Sequence, residues 1–557
     1  MASILATQYD DRRQRGISPA RSCTLEPDTD NLNQDCFEVG QVIEVKDTLI
    51  GQYPVNFIKI TGISLQCRTY EGIPFIRTRS MKGRLPKKYN ETCMMLQIRQ
   101  QDPELVVVKA HLVVRRRKMI MTNSVYPEFA VRGNAQPSTD FVPGEFTQPN
   151  EDTTLVCRWK WTTTFSRNQR QSKIKEEAIE RIYAEEASGP QFMLSENILC
   201  DRWRGGRTRG GAWPSDQGQF VIECEDGCSV ESQPFRRRGQ KFTLFDSFAG
   251  ARGVSRGAQS AGFRVSHAVD RDPAVWDTYS INFPETVLYR MSVDQFIQET
   301  KDVYLRPDVL HMSPPCQFFS PAHTQSGAHD EENTDAILSS HALVHKLRPR
   351  LITLEETFGL QFEQHQDYFN SLIGDLTHHG YSVRWKVVEL CTWGSAQTRK
   401  RLIIIAAGPG ERLPPFPPPT HSKDLADSLP PYNTIRRALS KIQPGDDLHD
   451  LASVTHFSPP RPSLNPDTQI GTILTSPGGM YYPDGNRNYT LREYACLQGF
   501  PLSHQFLGTK TSIRRQIGNA FPPNTVKHLY QHLERWLLKE DEIREYRPPS
   551  TEIVTLD

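Results

Sequence analysis

KFTLFDSFAGARGVSRGAQSAGFRVSHAVD, residues 241–270, is the stretch from which the fold can be read. An apolar run ends in the turn Ala249-Gly250-Ala251-Arg252-Gly253, a helical segment follows, and a second apolar run, RVSHAV, ends on Asp270. Glycine at such a turn lets the backbone come close to a ligand, and the helix that starts there presents free N–H groups. A carboxylate at the end of the following strand stands where nucleotide-binding sheets hold ribose hydroxyls. A plain strand–turn–helix with a surface aspartate would give the same residues, so the neighbouring sequence has to decide.

Downstream, VLHMSPP (309–315), LITLEET (351–357), YSVRWKVVEL (381–390) and RLIIIAAG (401–408) are short apolar runs, several of them separated by helix-like segments. That alternation predicts an α/β fold, a Rossmann-like doubly wound sheet. It stops at the proline tract Pro414–Pro419 and resumes near Tyr489, so the sheet domain is expected at 241–409 and 490–540, with an insert at 410–489 and a tail at 541–557. Upstream, 1–36 is polar and reads as disordered. VGQVIEVKD, NFIKITGISLQCRTY, MMLQIRQ and LVVVKAHLVVRRR alternate like strands and predict an all-β module with its linker over 37–150. Residues 151–240 read as a basic connecting region of unassigned fold, with a helix at Lys175–Ala187.

A chain of 557 residues needs two or three domains. No apolar run approaches the roughly 18 residues of a membrane span, and the N-terminus lacks a signal-peptide pattern, which points to an intracellular protein with no membrane partner. Net charge is only +1, yet basic clusters stand at 115–118, 167–175, 202–209 and 236–238. Each alone fits a solvated face; together they favour a nucleic-acid partner. The eleven cysteines are scattered singly, against a disulfide framework. Cys200, Cys224 and Cys228 match no common zinc spacing, and no metal is expected.

Three further motifs carry chemistry. In Ser313-Pro314-Pro315-Cys316-Gln317-Phe318-Phe319-Ser320, two prolines fix the backbone where a strand ends, just before a thiol. A buried structural cysteine is the commoner fate, but that placement favours a nucleophile. Leu354-Glu355-Glu356-Thr357 puts a carboxyl at the end of an apolar strand, where burial can keep a proton on it; a helix-capping acid is the bland alternative. Gln397-Thr398-Arg399-Lys400-Arg401 precedes RLIIIAAG, and alternation places Gln397, Arg399 and Arg401 on one face.

The ordered set FAGxxG, PPCQ, a strand-end glutamate, QxRxR, LREYACLQGFP and QIGNAFPP resembles the cytosine-C5 DNA methyltransferases over about Lys241–Trp536. The resemblance implies S-adenosylmethionine as methyl donor and a cytosine flipped out of double-stranded DNA. It makes Cys316 the nucleophile, Glu355 the acid at N3, and Arg399 and Arg401 contacts to the base. It gives the cofactor to Phe248, Ala249, Gly250, Gly253, Asp270, Arg271, Ser292, Pro314, Asn519 and Ala520. It places Gln317, Ser320, His323, Gln325 and Gln397 towards DNA, with Phe318–Asn333 as a lid and the insert as target-recognition region. The chain departs from the family pattern at Arg252, where a glycine is usual, at Ser292, where an acid faces the adenine, and at Glu356-Thr357. The last variant is similar to the fungal RIP-defective-type branch, which implies silencing of repeats in the nucleus. The N-terminal module is similar to a bromo-adjacent homology (BAH) domain, which would add a chromatin or histone partner. A weakly active or regulatory DNA-binding relative and an RNA cytosine methyltransferase are the alternatives, and the oligomeric state is left open.

Overall fold

The computed structural model describes residues 37–99, 101–129, 153–166, 173–213, 236, 239–315, 318–319, 330–424, 428–475 and 479–543, and within 330–338 the backbone only. Two compact units divide the chain, Met1–Leu199 and Cys200–Asp557.

In the first unit the strands Val113–Arg117, Val42–Val45, Phe57–Ser64, Thr69–Arg77, Glu91–Ile98, Leu155–Phe165 and Ile174–Arg181 lie side by side in that order. Neighbours are antiparallel except Leu155–Phe165, which runs parallel to Glu91–Ile98. Alternation along these strands builds two apolar clusters, one around Phe57, Phe75 and Cys157 and the other around Ile43, Ile58 and Val108. The unit therefore continues well past residue 150, and the connecting region expected from 151 supplies two of its strands. The expected helix at Lys175–Ala187 is instead the strand Ile174–Arg181 followed by a short 3-10 turn. Its Glu, Lys and Ala favour helix, but pairing with the long strand overrides propensity. Glu180 sits opposite Lys160, and Glu177 accepts from Trp161 Nε1 at 3.3 Å.

Two members of the basic cluster at 115–118, Arg115 and Arg117, are spent inside this unit, while Arg116 and Lys118 are exposed. Glu44 receives Arg117 at 2.6 Å, Arg115 at 3.0 Å and Arg77 at 3.4 Å. Burial raises the Glu44 pKa, and the two arginines outweigh it and hold the carboxyl below its ordinary value.

The second unit carries seven strands, β1 (Thr243–Ser247), β2 (Arg264–Val269), β3 (Val287–Tyr289), β4 (Val309–Met312), β5 (Leu351–Glu356), β6 (Ser382–Glu389) and β7 (Lys400–Ala407). Their spatial order is β3-β2-β1-β4-β5-β7-β6, parallel throughout except for β7, which is antiparallel to both neighbours. The order reverses between β1 and β4, the switch point where such sheets bind ligands at their carboxyl ends. Helices α1 (Gly253–Ser260), α2 (Pro273–Asn282), α3 (Val293–Glu299), α4 (Asp330–Leu347) and α5 (Gln366–His378) connect the parallel strands. The insert contributes the short α6 (Ile435–Leu439), and the chain returns through α7 (Leu491–Gln498), α8 (Lys510–Asn519) and α9 (Pro523–Glu540).

The expected boundaries need two changes. The proline tract belongs to the sheet domain, because His532 and His528 of α9 each donate 2.8 Å bonds to the carbonyls of Pro415 and Pro418. Asp541 starts no loose tail. It is buried against Arg350, which grips Asp541 and Glu411 through four contacts of 2.7–3.1 Å. Burial raises the Asp541 pKa and the Arg350 charge outweighs it, holding the carboxyl low. Arg207 reaches the same Glu411 at 3.1 Å, and Arg204 lies 3.6 Å from Asp308, so the cluster at 202–209 is also partly internal. Arg236 pairs with Glu534 at 2.6 Å. Among the described residues no helix is long and apolar enough to cross a membrane, and no group of His, Cys, Asp or Glu could hold a metal. Cys224 and Cys228 lie outside the described residues.

The strand pairing sets an expectation for truncation. Removing residues 1–150 leaves the apolar strand Leu155–Phe165 without Glu91–Ile98, whereas removing 1–194 takes the whole sheet away and keeps the helix Glu196–Arg204. The shorter deletion should be the less soluble of the two in a sedimentation assay; equal solubility would show that the 155–181 hairpin stands alone.

Candidate functional site

Each wall of the site starts from a local sequence feature. After β1 the backbone turns through Phe248 and Gly250 with φ of +56° and +48°, then Arg252 at +73° caps α1. Gly253 is required by contact: a Cβ there would lie 1.9 Å from the Phe521 carbonyl oxygen. The C-terminal return is thereby pressed onto the turn, and the two segments enclose a cavity of about 760 Å³ at the carboxyl edge of the sheet.

All ten residues expected at the cofactor line this one cavity, from Phe248, Ala249, Gly250 and Gly253 through Asp270, Arg271 and Ser292 to Pro314, Asn519 and Ala520. Glu355 is on the same wall. Asp270 does more than wait for a ligand. Its carboxylate accepts from Gly250 N at 2.7 Å and Asp272 N at 2.8 Å, so it fixes the glycine turn, while burial pushes its pKa up. Ser292 caps α3, accepting from Gln295 N at 3.2 Å while Gln295 Oε1 accepts from Ser292 N at 3.0 Å.

Arg252, the departure from the family pattern in this turn, points into the protein. It is fully buried, donates to the Val275 carbonyl at 2.7 Å, and stacks with its guanidinium carbon 3.9 Å from the Tyr279 ring centre. Burial lowers its pKa to about 8.

Glu355 and Glu356 face opposite sides of β5, as alternation demands. Glu355 lies 2.7 Å from Arg401 Nε, an ion pair whose N–H is not aligned for a hydrogen bond. Glu356 is completely buried, accepts from Thr357 N at 3.1 Å, and is absent from the cavity wall. Burial, then the neighbouring Glu355 charge, drives its pKa well up.

The QxRxR face divides. Arg401 reaches the site through Glu355, and Arg399 is buried with a 3.1 Å bond to the Ile473 carbonyl. Gln397, expected towards DNA, is fully buried: its Nε2 donates to Gln498 Oε1 at 2.6 Å and to the Leu497 carbonyl at 3.2 Å, and its Oε1 accepts from Ile473 N at 3.1 Å. Gln498 Nε2 in turn donates 2.8 Å bonds to the Ile517 and Ala520 carbonyls. Gln397 is a joint between β7, the insert and the C-terminal return. It precedes the regular strand, so alternation was the wrong guide to it.

Cys316, Gln317, Ser320, His323 and Gln325 lie outside the described residues. The strand that leads to Cys316 is described as far as Pro315, and Ser313, Pro314 and Pro315 all line the cavity. Sequence reasoning missed Ser313, Asp294, Arg515 and Phe521 on that wall. Asp294 could have been found, since it stands two residues beyond Ser292 in the first turn of α3; nothing in the order of motifs marks Arg515.

The family model for C-5 cytosine-specific DNA methylases matches residues 242–457 and 456–535. The chain is similar to the type II methyltransferase M.Sau96I of Staphylococcus aureus, 27% identical over 335 residues that cover 54% of this chain and 77% of that protein. DNA (cytosine-5)-methyltransferase 1B of Oryza sativa subsp. japonica is 23% identical over 56% of this chain and 29% of its own length. Among solved structures, a putative DNA modification methyltransferase encoded within an E. coli prophage aligns at 21% identity with a TM-score of 0.44, over 53% of this chain and 99% of its own.

Two outcomes follow from these contacts. Gly253→Ala should lower stability by about 1–3 kcal/mol in denaturant unfolding, the cost of overpacking; an unchanged midpoint would mean that Phe521 is not seated on the turn. Glu356 titrates higher when folded, so its contribution to stability is lost as pH rises from its ordinary value through that raised one. Glu356→Gln removes the titration, and its melting temperature relative to wild type should climb towards alkaline pH. A constant difference at all pH values would contradict a Glu356 pKa raised by folding.

Proposed function

The chain belongs to the C-5 cytosine-specific DNA methylase family and is an S-adenosylmethionine-dependent DNA (cytosine-5-)-methyltransferase, and from that premise we propose that it methylates a flipped cytosine in duplex DNA through a covalent bond to Cys316. One observation carries the reading: the glycine turn, Asp270, Asn519, the Pro314-Pro315 exit towards Cys316 and Glu355 share a single cavity.

The residues present fit the cofactor. Gly250 leaves its surroundings open, since a Cβ there would meet only the Phe248 carbonyl at 3.8 Å. Phe248 offers an aromatic wall, Asp270 retains lone pairs for ribose hydroxyls, and Asn519 is an exposed amide at the end of α8. Bound there, S-adenosylmethionine supplies an electrophilic methyl group.

Carbon 5 of cytosine is a poor nucleophile, which is why a thiolate is needed first. The Cys316 thiolate adds to C6 while Glu355 holds a proton at N3, so the electron pair moves to C5 and the ring becomes an enamine. After C5 is methylated, loss of the C5 proton expels Cys316 and restores the aromatic ring. Arg401 orients the Glu355 side chain by their 2.7 Å contact, and Glu355 takes up its proton to act at N3. A duplex hides the attacked face, so the base must leave the stack at a cost of a few kcal/mol.

The finer reading is that the enzyme is of the RIP-defective type, acts de novo on repeats in the nucleus, and engages chromatin through a BAH-like first unit. The Glu355-Glu356-Thr357 variant and the β-rich character of that unit support it.

Purified protein should transfer methyl groups to duplex DNA in preference to transfer RNA, and Cys316→Ser should abolish the transfer. Glu355→Gln should slow it by about 10²–10⁴-fold, the usual contribution of a positioned acid, and Glu356→Gln by less than about tenfold. Equal losses at both glutamates, or a preference for transfer RNA, would overturn the reading.

A further inference from the structure

A chain of hydrogen bonds crosses the sheet interior and ends on the cavity wall. Tyr530 of α9 contacts Thr353 Oγ1 of β5 at 2.9 Å, Thr353 Oγ1 contacts His311 Nδ1 of β4 at 2.8 Å, and His311 Nε2 contacts the Ser313 hydroxyl. Tyr530, Thr353 and His311 are all buried, while Ser313 is half-buried and lines the cavity. Burial drives the His311 pKa down to about 3, so the ring is neutral and carries one N–H.

Satisfying every buried donor gives the chain a direction. The Tyr530 O–H has Thr353 Oγ1 as its partner, and a buried donor left unmet loses its hydration without compensation. Tyr530 therefore donates to Thr353, and the Thr353 hydroxyl donates onward to His311 Nδ1. The imidazole proton is then on Nε2 and is given to the Ser313 oxygen. The Ser313 O–H is left free to donate into the cavity.

The sheet order says which part of a ligand it meets. Asp270 at the end of β2 and Ser292 after β3 take the nucleoside side, and Glu355 on β5 takes the target base. Ser313 follows β4, between the two, where the part of a methyl donor that reaches from the nucleoside towards the target base, its sulfonium and amino-acid end, would have to lie. We propose that Ser313 is a positioning residue whose hydroxyl, oriented from Tyr530 through Thr353 and His311, donates a hydrogen bond to the carboxylate of S-adenosylmethionine. The assignment rests on the methyltransferase reading above and adds a residue to it.

Calorimetry on the full chain with two probes tests it. S-adenosylhomocysteine carries the amino-acid end, and 5′-methylthioadenosine lacks it. Ser313→Ala should weaken S-adenosylhomocysteine roughly tenfold or more, as expected for a bond to a charged group, and leave 5′-methylthioadenosine unchanged. His311→Phe keeps a flat ring but takes away the Nε2–H that holds the Ser313 oxygen, so the hydroxyl is no longer aimed and the same selective loss should appear although residue 311 lies outside the cavity. An unchanged S-adenosylhomocysteine affinity in Ser313→Ala, equal losses for both probes, or a silent His311→Phe would each overturn the proposal. If neither probe binds the wild type, it is the methyltransferase reading that fails.

Discussion

The contact between Gly253 and the Phe521 carbonyl is the constraint on which the site depends. The sheet domain is interrupted by an insert, and its last helices have to come back to the carboxyl edge of the first strand to complete a cavity. That return is held at two places. At the turn, only a hydrogen at residue 253 leaves room for Phe521. Beneath it, the Gln397 amide binds Gln498, and Gln498 binds the Ile517 and Ala520 carbonyls. Motifs separated by more than a hundred residues are thus parts of one joint, and Asn519 and Ala520 reach the cofactor wall because the joint closes.

Charge burial supports the same arrangement. Arg350, its side chain fully buried, ties the entry of β5 to Glu411 after β7 and to Asp541 after α9, closing the opposite edge of the sheet. Breaking one partner of such a set would leave an unpaired buried charge, which typically costs about 3–5 kcal/mol. Arg252 is buried beside the cavity against Tyr279 and Phe283, with centroid distances of 3.9 and 5.9 Å. Its presence in place of a small residue is accommodated by aromatic packing behind the turn.

Much of this was legible in the sequence, and the reasons differ by residue. Six of the seven sheet strands announce themselves as apolar runs, whereas β3 has three residues and leaves no pattern. The cavity residues were legible because the order of motifs fixes which loops meet at the sheet edge. Gln397 was misplaced because its spacing from Arg399 suggests a shared strand face, while the backbone only becomes regular at Lys400. The strand Ile174–Arg181 was hidden by helix-forming residues whose cross-strand partners lie in a distant segment. Arg115, Arg117, Arg204 and Arg207 looked like polyanion contacts because their internal carboxylates, Glu44, Asp308 and Glu411, are far away in sequence.

The central claim is that one cavity brings a methyl donor, Glu355 and the Cys316 loop to the same cytosine. The most direct measurement is the intact mass of the protein after incubation with S-adenosylmethionine and duplex DNA carrying 5-fluorocytosine, in which fluorine blocks the final loss of the C5 proton. The account predicts a stable protein–DNA adduct whose peptide map places the methylated base on Cys316. Methyl transfer without any adduct, or an adduct mapping to another cysteine, would contradict it.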